Sequence, residues 1–476
     1  MATKREKRDP YLWEALISIL SLVVFISLAI LRYETDPHVP ILLGVLIAAV
    51  IGLRAGFSWK EIETGMLNGI TNALQAIVIL LIIGILIGVW IQTGVVPTML
   101  FYGLKILHPK IFLPAALIIC SITALATGTS WGTTGTIGIA LIGIGAGLGF
   151  PLPVVAGAVL SGAYFGDKMS PLSDTTNMAP AMVGTDLYTH IKHMTYTTGV
   201  SYGLTLVIEF VIGFFYGGGE AKLDSVNQML TGIDAQFSIN PLLLLPPIIV
   251  MVLAFRRIPA VPGIVMGVLA AGVLGAIFQK NTFGSLLSAA YGGYVSNSGV
   301  EAVDNLLTKG GFESMLYTVS LVICAMMFGG IMQKTNQLRV VVSVILKKAQ
   351  STGSLITSTI LTAVASNIIL CDQYMAIVMT GKMYAQSYTD KNLHPKNLSR
   401  AIEDSATVTA NLVPWNSGGA YQAATLGVPT IAYLPWNFFC WLTPIVSIIY
   451  GWFNITIDPL EEEVEAPDMA AEPDAA

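Results

Sequence analysis

Apolar runs long enough to cross a bilayer recur along the 476-residue chain, separated by short polar stretches. Tyr11 to Leu31 holds one acid, Glu14, among 21 residues. At 1.5 Å per residue such a helix covers about 30 Å of hydrocarbon. Further runs fall at roughly 39–57, 67–93, 150–184 and 189–216, then at 240–256, 258–279, 313–334, 395–427 and 430–453. Two others, 110–147 and 352–386, are too long for one crossing and are interrupted centrally by TGTSWGTTG and SNIILCDQ. These interruptions predict helical hairpins that enter the membrane and turn back, because open backbone at that depth survives only inside protein or beside water.

The halves resemble each other. TALATGTSW (123–131) lies over TAVASNIIL (362–370), pairing Thr123 with Thr362, Ala124 with Ala363 and Ala126 with Ala365, and Asn177 falls on Asn416 at the same offset of 239. GVWIQT (88–93) sits on GIMQKT (330–335). Five spans and one hairpin per half would turn the second copy upside down, the arrangement of inverted-repeat transporters with broken helices at the site. The expected fold is therefore an all-α polytopic membrane protein. It has a basic N-terminus at 1–10, a first inverted repeat at 11–216, an extracytoplasmic linker at 217–239, a second repeat at 240–455 and an acidic, disordered tail at 456–476.

Composition agrees with this pattern. Hydrophobic residues make up 54% of the chain and charged ones 11%, against about 25% charged in soluble domains. Lys4, Arg5, Lys7 and Arg8 precede the first span with no small-residue cleavage site, so that span reads as retained and the N-terminus as cytoplasmic. Both termini are expected on the cytoplasmic side of an inner membrane. The 217–239 loop, with Glu220, Asp224 and Asp234, then lies outside; Arg256, Arg257, Lys334, Arg339, Lys347 and Lys348 lie inside, while Lys105 and Lys110 break the rule. Net charge is −5 and no basic patch suggests nucleic acid. The four cysteines lack C-x-x-C spacing and read as buried small hydrophobes. His190 and His193 share a helix face with no further metal ligand beside them.

Ionisable groups inside apolar segments cost about 2.5–3.5 kcal/mol each on insertion scales, so clusters of them mark function. GDKMSPLSDTTNMAP (166–180) places Asp167, Lys168 and Asp174 in one span, with Pro171 and Pro180 leaving carbonyls open between them. Those carbonyls, the Asp174 carboxylate and the hydroxyls of Ser173, Thr175 and Thr176 are hard ligands suited to Na⁺. The bland alternative is an Asp167–Lys168 ion pair in a loop. SRAIEDSATVTANLVPWNSGG (399–419) supplies Glu403, Asp404, Asn411 and Asn416 around Pro414. In the second tip, Asp372 follows Asn367; pairing with Lys382 is its bland alternative. Glu209 is a relay or pore acid left open. Two tips and two broken helices can converge on one cavity, where a carboxylate takes either Na⁺ or H⁺ and competition couples the two ions. Asp174 is the first candidate, followed by Asp167, Asp372, Glu403 and Asp404.

ATGTSWGTTGT and SGAYFGDKMSPLSDTTNMAP resemble the NhaC family of sodium/proton antiporters, and the resemblance extends to ASNIILCDQY and EDSATVTANLVPWNSGG over most of residues 10–455. It implies a bacterial or archaeal inner-membrane carrier, two re-entrant hairpins, a mobile transport domain and, often, a homodimer. It favours Thr129, Ser130, Asp174, Thr175, Asn367, Asp372, Asn411 and Asn416 as site-lining positions, with Asn177 beside them and Na⁺ held at Asp174, Thr129, Ser130 and Thr175. No cofactor is implied beyond transported Na⁺ and H⁺. Li⁺ and small carboxylates are further candidate ligands, since the family also contains carriers exchanging malate and a proton for lactate and Na⁺. Lys168 or Lys382 could receive a carboxylate; no arginine is expected within the membrane.

Two other classes compete. GTSWG matches the G-x-S-x-G elbow of serine hydrolases, but that elbow follows a β-strand in an α/β sheet, whereas ICSITALA reads as a membrane helix. A channel would also use hydroxyl and carbonyl linings, and ohmic current would distinguish it from a saturable carrier.

Overall fold

The computed structural model describes residues 7–33, 35–216, 221–256, 258–346 and 350–460. The tail from Glu461 and the loop charges Glu220, Arg257, Lys347 and Lys348 lie outside these. Among the described residues the chain is helical, apart from loops and two isolated bridges. The first half contains α1 (Leu12–Ser27), α2 (His38–Arg54), α3 (Trp59–Gln92), α4 (Val95–Ile106), α5 (Phe112–Thr127), α6 (Ser130–Thr133), α7 (Ile139–Gly147), α8 (Leu152–Met169), α9 (Asp174–Val183) and α10 (Leu187–Tyr216). Next come α11 (Ala221–Gln236), α12 (Leu245–Phe255), α13 (Ala260–Phe278), α14 (Phe283–Gly292), α15 (Glu301–Leu307), α16 (Leu316–Lys334) and α17 (Gln337–Leu346). The chain ends in α18 (Thr352–Leu370), α19 (Gln373–Thr389), α20 (Pro395–Ile402), α21 (Ser417–Leu426), α22 (Thr430–Tyr433) and α23 (Phe438–Trp452).

Six helical stretches are long and apolar enough to cross a membrane, or up to eight if two bent pairs each count as one span. This is a polytopic membrane protein. The longest helix, α3, has 34 residues and would extend about 51 Å. The first expected span is α1 continued by a π-helical turn, Leu28–Arg32. Its acid, Glu14, is fully buried and held by Arg8 at 2.8 Å and by Arg54 at 3.0 Å. Five helices fall outside the expected spans: α4, α11 within the expected linker, α14, α15 and α17. They are short, and α11 and α15 are polar enough to read as loop.

Both interrupted runs are helix, turn, helix. In the first, Gly128 (φ 70°) and extended Thr129 separate α5 from α6. In the second, Cys371 (φ 60°) and extended Asp372 separate α18 from α19. The two breaks match as well: Ser173 caps α9 and Asn416 caps α21. Those helices end at left-handed Gly184 and Gly427. Each of these pairs is 243 residues apart, as are left-handed Gly149 and Asn392. The 239 offset read from the sequence therefore differs from the backbone recurrence by four residues. A shift of four rotates a helix by only about 40°, so matched small residues stay on one face and the misregister is invisible in sequence.

The most extensive helix pairing joins α5 to α8, and small residues permit it. A Cβ at Gly162 would stand 2.2 Å from the Leu117 carbonyl oxygen, and one at Gly166 would stand 2.2 Å from that of Ser121. Small residues are what let membrane helices approach this closely. Gly162→Val should force α5 and α8 apart and cost about 1–3 kcal/mol as an overpacked core. The measurement is thermal unfolding of the detergent-solubilised protein, with Gly199→Val, where a Cβ meets nothing within 4 Å, as the control expected to melt near wild type.

Candidate cation site

The first turn, the first break and the second turn meet at one cavity of about 520 Å³. Its lining includes Thr129 from the first turn, Asp167, Ser173, Asp174, Thr175 and Asn177 around the break, and Asp372 from the second turn. Among the described residues its wall holds three carboxylates and no lysine, arginine or histidine; Arg257, next in sequence to lining Ile258, lies outside the described residues. All three act electrostatically on Tyr374, which also lines the wall.

Asp167 is the most constrained of the three. It is buried, and one carboxylate oxygen accepts bonds from the Ser130 hydroxyl at 2.6 Å and the Ser130 amide at 3.0 Å. The amide is available because Ser130 opens α6, where helix amides have no partner of their own. A Cβ at Gly128 would lie 2.6 Å from Leu172, so the turn presses directly on the break. Ser130 itself stands behind the cavity and reaches it through Asp167. The break is laced internally: the Ser170 hydroxyl donates to Leu125 O, the Thr176 hydroxyl donates to Lys168 O, and the Asn177 amide donates to Pro171 O and Ser173 O. The carbonyls of Pro171 and Ser173 are thus partly engaged by Asn177. Asp174 follows the capping Ser173 and faces the cavity exposed, with no hydrogen bond among those described. Asp372 caps α19, accepting from the Met375 amide at 2.9 Å and from the Ser417 hydroxyl at 3.2 Å.

The second break stands behind this lining. Glu403 and Asp404 sit in a π-helical turn, Glu403–Thr407, and are fully buried. The fully buried Lys168 ammonium lies 2.8 Å from Asp404, which also accepts from Thr197 at 3.2 Å. Lys168 therefore pairs across to the second half and not with its neighbour Asp167. Neither Glu403 oxygen makes a hydrogen bond of good geometry, although the Thr407 and Thr175 hydroxyls stand close to it and Lys168 and Asp167 are within electrostatic reach. Asn367 donates to Ala406 O and to Thr409, and Asn416 donates to Asn367 O. Asn411 donates to Val408 O and accepts from Asn437 at 2.6 Å. These three amides clamp the second break to α18 and α23 and do not reach the cavity.

Several expectations change. Asp372 is tied to Ser417, and exposed Lys382 is not its partner among the described ion pairs. Arg400 in α20 is almost completely buried; it donates to Thr456 at 2.8 Å and lies 3.2 Å from His193. His190 bonds Ser399 at 2.7 Å. Glu209 is buried with neither oxygen bonded. Asn72 and Gln75, which line the cavity from α3, were missed. Their signal was a polar pair three residues apart on one face of an apolar helix.

A second cavity of about 330 Å³ lies farther along α3. Ile79 borders the first and Ile87 the second. Between them a Cβ at Gly135 would touch Ile83 at 2.5 Å and the Tyr421 hydroxyl at 3.1 Å. The Tyr421 ring stacks on Trp131 at 4.1 Å.

Membrane-length helices around an acid-lined cavity at helix breaks define a polytopic membrane protein. The chain belongs to the Na⁺/H⁺ antiporter family, which matches it over residues 11–164 and 162–455. It is 39% identical to the Na⁺/H⁺ antiporter NhaC of Alkalihalophilus pseudofirmus, covering 93% of this chain and 95% of that one. It is 41% identical to the malate-2H⁺/Na⁺-lactate antiporter of Bacillus subtilis, over 94% and 96%. It is 36% identical to the arginine/ornithine antiporter ArcD of Halobacterium salinarum, over 98% and 97%. The family is one of antiporters and not of enzymes.

Breaking a buried ion pair by removing one partner costs about 3–5 kcal/mol, whereas replacing both can be neutral. Lys168→Met should accordingly lower the melting temperature sharply, and Lys168→Met with Asp404→Leu should recover most of it. If the double variant is no better than the single one, the pair is not what makes Lys168 structurally necessary.

Proposed function

We propose that the chain exchanges Na⁺ for H⁺ across the cytoplasmic membrane by alternating access, with both ions competing for the carboxylates of the larger cavity. The observation that carries this reading is a cavity wall on which Asp167, Asp174 and Asp372 converge, with no base among the described residues. Such a wall attracts cations, and neutralising it by Na⁺ or by protons gives two states that exclude each other. Asp167 is the central carboxylate, oriented by Ser130. Asp174 is the cavity-facing acid that meets the ion first, with Thr129 and Thr175 as further oxygen ligands and Asp372 closing the opposite side. Glu403, buried without a hydrogen bond of good geometry, is the proton acceptor behind them.

The 243-residue recurrence of turns and caps supports two repeats, 11–216 and 240–455, inverted relative to one another, with their breaks at the site. Both termini are then cytoplasmic, the linker at 217–239 is extracytoplasmic, and a homodimer is the expected assembly. Li⁺ would bind the same oxygens. The reading is also supported by likeness to the NhaC relatives. A second reading, exchange of malate and protons for lactate and Na⁺, is supported by likeness to the Bacillus subtilis carrier.

The test is ²²Na⁺ uptake into proteoliposomes under an imposed pH gradient. Uptake should proceed without organic solute and saturate with Na⁺, and Asp167→Asn should weaken apparent Na⁺ affinity by roughly tenfold or more, equivalent to about 1.4 kcal/mol. Asp174→Asn should have a smaller effect; unchanged uptake in both variants would remove these acids from the mechanism. Uptake that appears only with malate and lactate would favour the second reading, and uptake only with arginine would assign the acidic wall to a cationic amino acid.

A further inference from the structure

We infer that a buried hydroxyl stripe on α10, ending at Glu209, carries protons between the end of that helix and the acids around Lys168. The inference deepens the exchange proposed above and rests on that reading. Leu204, Val207, Phe210 and Val211 make the outer side of α10 exposed and apolar, whereas Thr197, Ser201, Thr205 and Glu209 are fully buried. A spacing of four residues keeps these four on one side of the helix, drifting only about 40° per step. The Thr197 hydroxyl donates to Asp404 at 3.2 Å, that of Ser201 to Thr197 O at 2.9 Å and that of Thr205 to Ser201 O at 2.8 Å. The stripe therefore starts at the buried Lys168–Asp404 pair and reaches Glu209 after about 18 Å of helix.

Glu209 has no structural duty that explains it. Neither of its oxygens has a hydrogen-bond partner, and no charged group among the described residues acts on it electrostatically. A buried acid without partners is expensive in a bilayer, and an apolar side chain would fill the same space without that cost. The other end of the stripe is open in the same way: Asp404 holds Lys168 and Thr197 through Oδ1, while its Oδ2 has no bond among the described residues. One turn beyond Glu209, a Cβ at Gly213 would stand 3.1 Å from the Lys110 carbonyl oxygen, and the exposed Lys110 ammonium lies 5.2 Å from the Phe214 ring. An exposed lysine over an aromatic ring is what a membrane–water boundary favours, so Glu209 stands one turn inside the wet end of α10.

A proton taken up at that end converts the Glu209 carboxylate to the neutral acid. The acid passes it to a water molecule, which passes one of its own protons to the Thr205 hydroxyl. Successive residues of the stripe lie about 6 Å apart along the helix, the reach of one bridging water. Each hydroxyl has acceptor lone pairs beside its single proton, so it accepts one proton and releases its own toward Ser201, then Thr197, then Asp404. Glu209 returns to the carboxylate, and the net change is the transfer of one proton. None of the four stripe residues lines the acid-walled cavity, so Na⁺ and H⁺ reach the core by separate ways.

The test uses the purified full-length protein in proteoliposomes with entrapped pyranine, so that interior pH and ²²Na⁺ are followed together. Exchange of ²²Na⁺ for unlabelled Na⁺ at equal pH on both sides needs no proton and reports an intact cation path. Glu209→Gln should slow Na⁺ uptake driven by a pH gradient by roughly tenfold or more, as loss of a positioned proton carrier predicts. Its Na⁺/Na⁺ exchange should stay within about twofold of wild type, because the cation site is distant. Glu209→Asp, which keeps the carboxyl, should hold the proton-driven flux within about threefold. Thr205→Val should slow that flux by about threefold or more, as loss of one hydrogen-bonding group predicts, and Thr205→Ser should preserve it. Equal loss of both fluxes in Glu209→Gln, or a proton-driven flux in that variant within about twofold of wild type, would each overturn the path. If wild type moves Na⁺ only with malate and lactate, the cation reading fails, and pyranine then reports proton movement driven by that pair. Loss of that movement in Glu209→Gln would still uphold the path, and its persistence would overturn it.

Discussion

The contact between Ser130 and Asp167 joins the first turn to the end of α8, and the shape of the acidic cavity depends on it. A carboxylate in an apolar bundle needs donors, and here a single residue supplies two, its hydroxyl and the amide that opens α6. The Gly128 bend makes that amide available by ending α5 before the chain restarts as helix. With the turn fixed against the break, Thr129, Asp167 and Asp174 share one wall. The same physical device recurs in the second half, where the Ser417 amide donates to Cys371 O at 2.8 Å and the Ser417 hydroxyl meets Asp372. In both halves a turn with a left-handed residue is pinned to the helix break of that half.

Burial of charge is distributed so that each half restrains the other. Lys168 extends from the first break to Asp404 in the second, and Glu403 lies nearby without a hydrogen bond of good geometry. Among the described residues, the three acids Asp167, Glu403 and Asp404 face Lys168, with buried Arg400 also within electrostatic reach of Asp404. Such an imbalance is costly when every acid is ionised and is relieved by a proton or a metal cation. Both acids are buried although neighbours on a helix point in different directions, because the whole turn Glu403–Thr407 is enclosed by protein.

Much of this was legible in the sequence for one reason: membrane spans announce themselves by length and apolarity, and a polar interruption within them has few structural meanings. The turns at Gly128 and Cys371 and the breaks at Ser170–Ser173 and Val413–Asn416 lie where TGTSWGTTG, SNIILCDQ and the two proline clusters placed them. What the sequence hid was direction and partnership. Asn367, Asn411 and Asn416 are the right chemical type for ligands, but their amides are engaged by Ala406, Asn437 and Asn367 itself, which only tertiary packing decides. Lys168 looked like a partner for adjacent Asp167 because sequence proximity is visible and the 2.8 Å contact to Asp404 is not. Lys309, which lines the smaller cavity, drew no notice because it lies in the loop between α15 and α16, where a lysine is ordinary.

The pair of cavities gives these details a common logic. Along α3 the acid-lined space ends near Ile79 and the lysine-bearing space begins near Ile87, a separation of about 12 Å in a helix. The intervening layer is Ile83, Trp131 and Tyr421, with the Tyr421 hydroxyl donating to Trp131 O at 2.8 Å. That bond ties α21 of the second half to the turn of the first, so movement of α21 against the first hairpin would disturb the layer and the ring stack together. Tyr421 and Thr425 lie one turn apart on α21, with Gly427 just beyond its end. Hence any shift of this helix that opens the layer also moves Thr425 relative to Lys309. The two cavities are thus joined through one ten-residue helix: α21 lines the smaller and is bonded, through Tyr421, to the Trp131 that lines the larger.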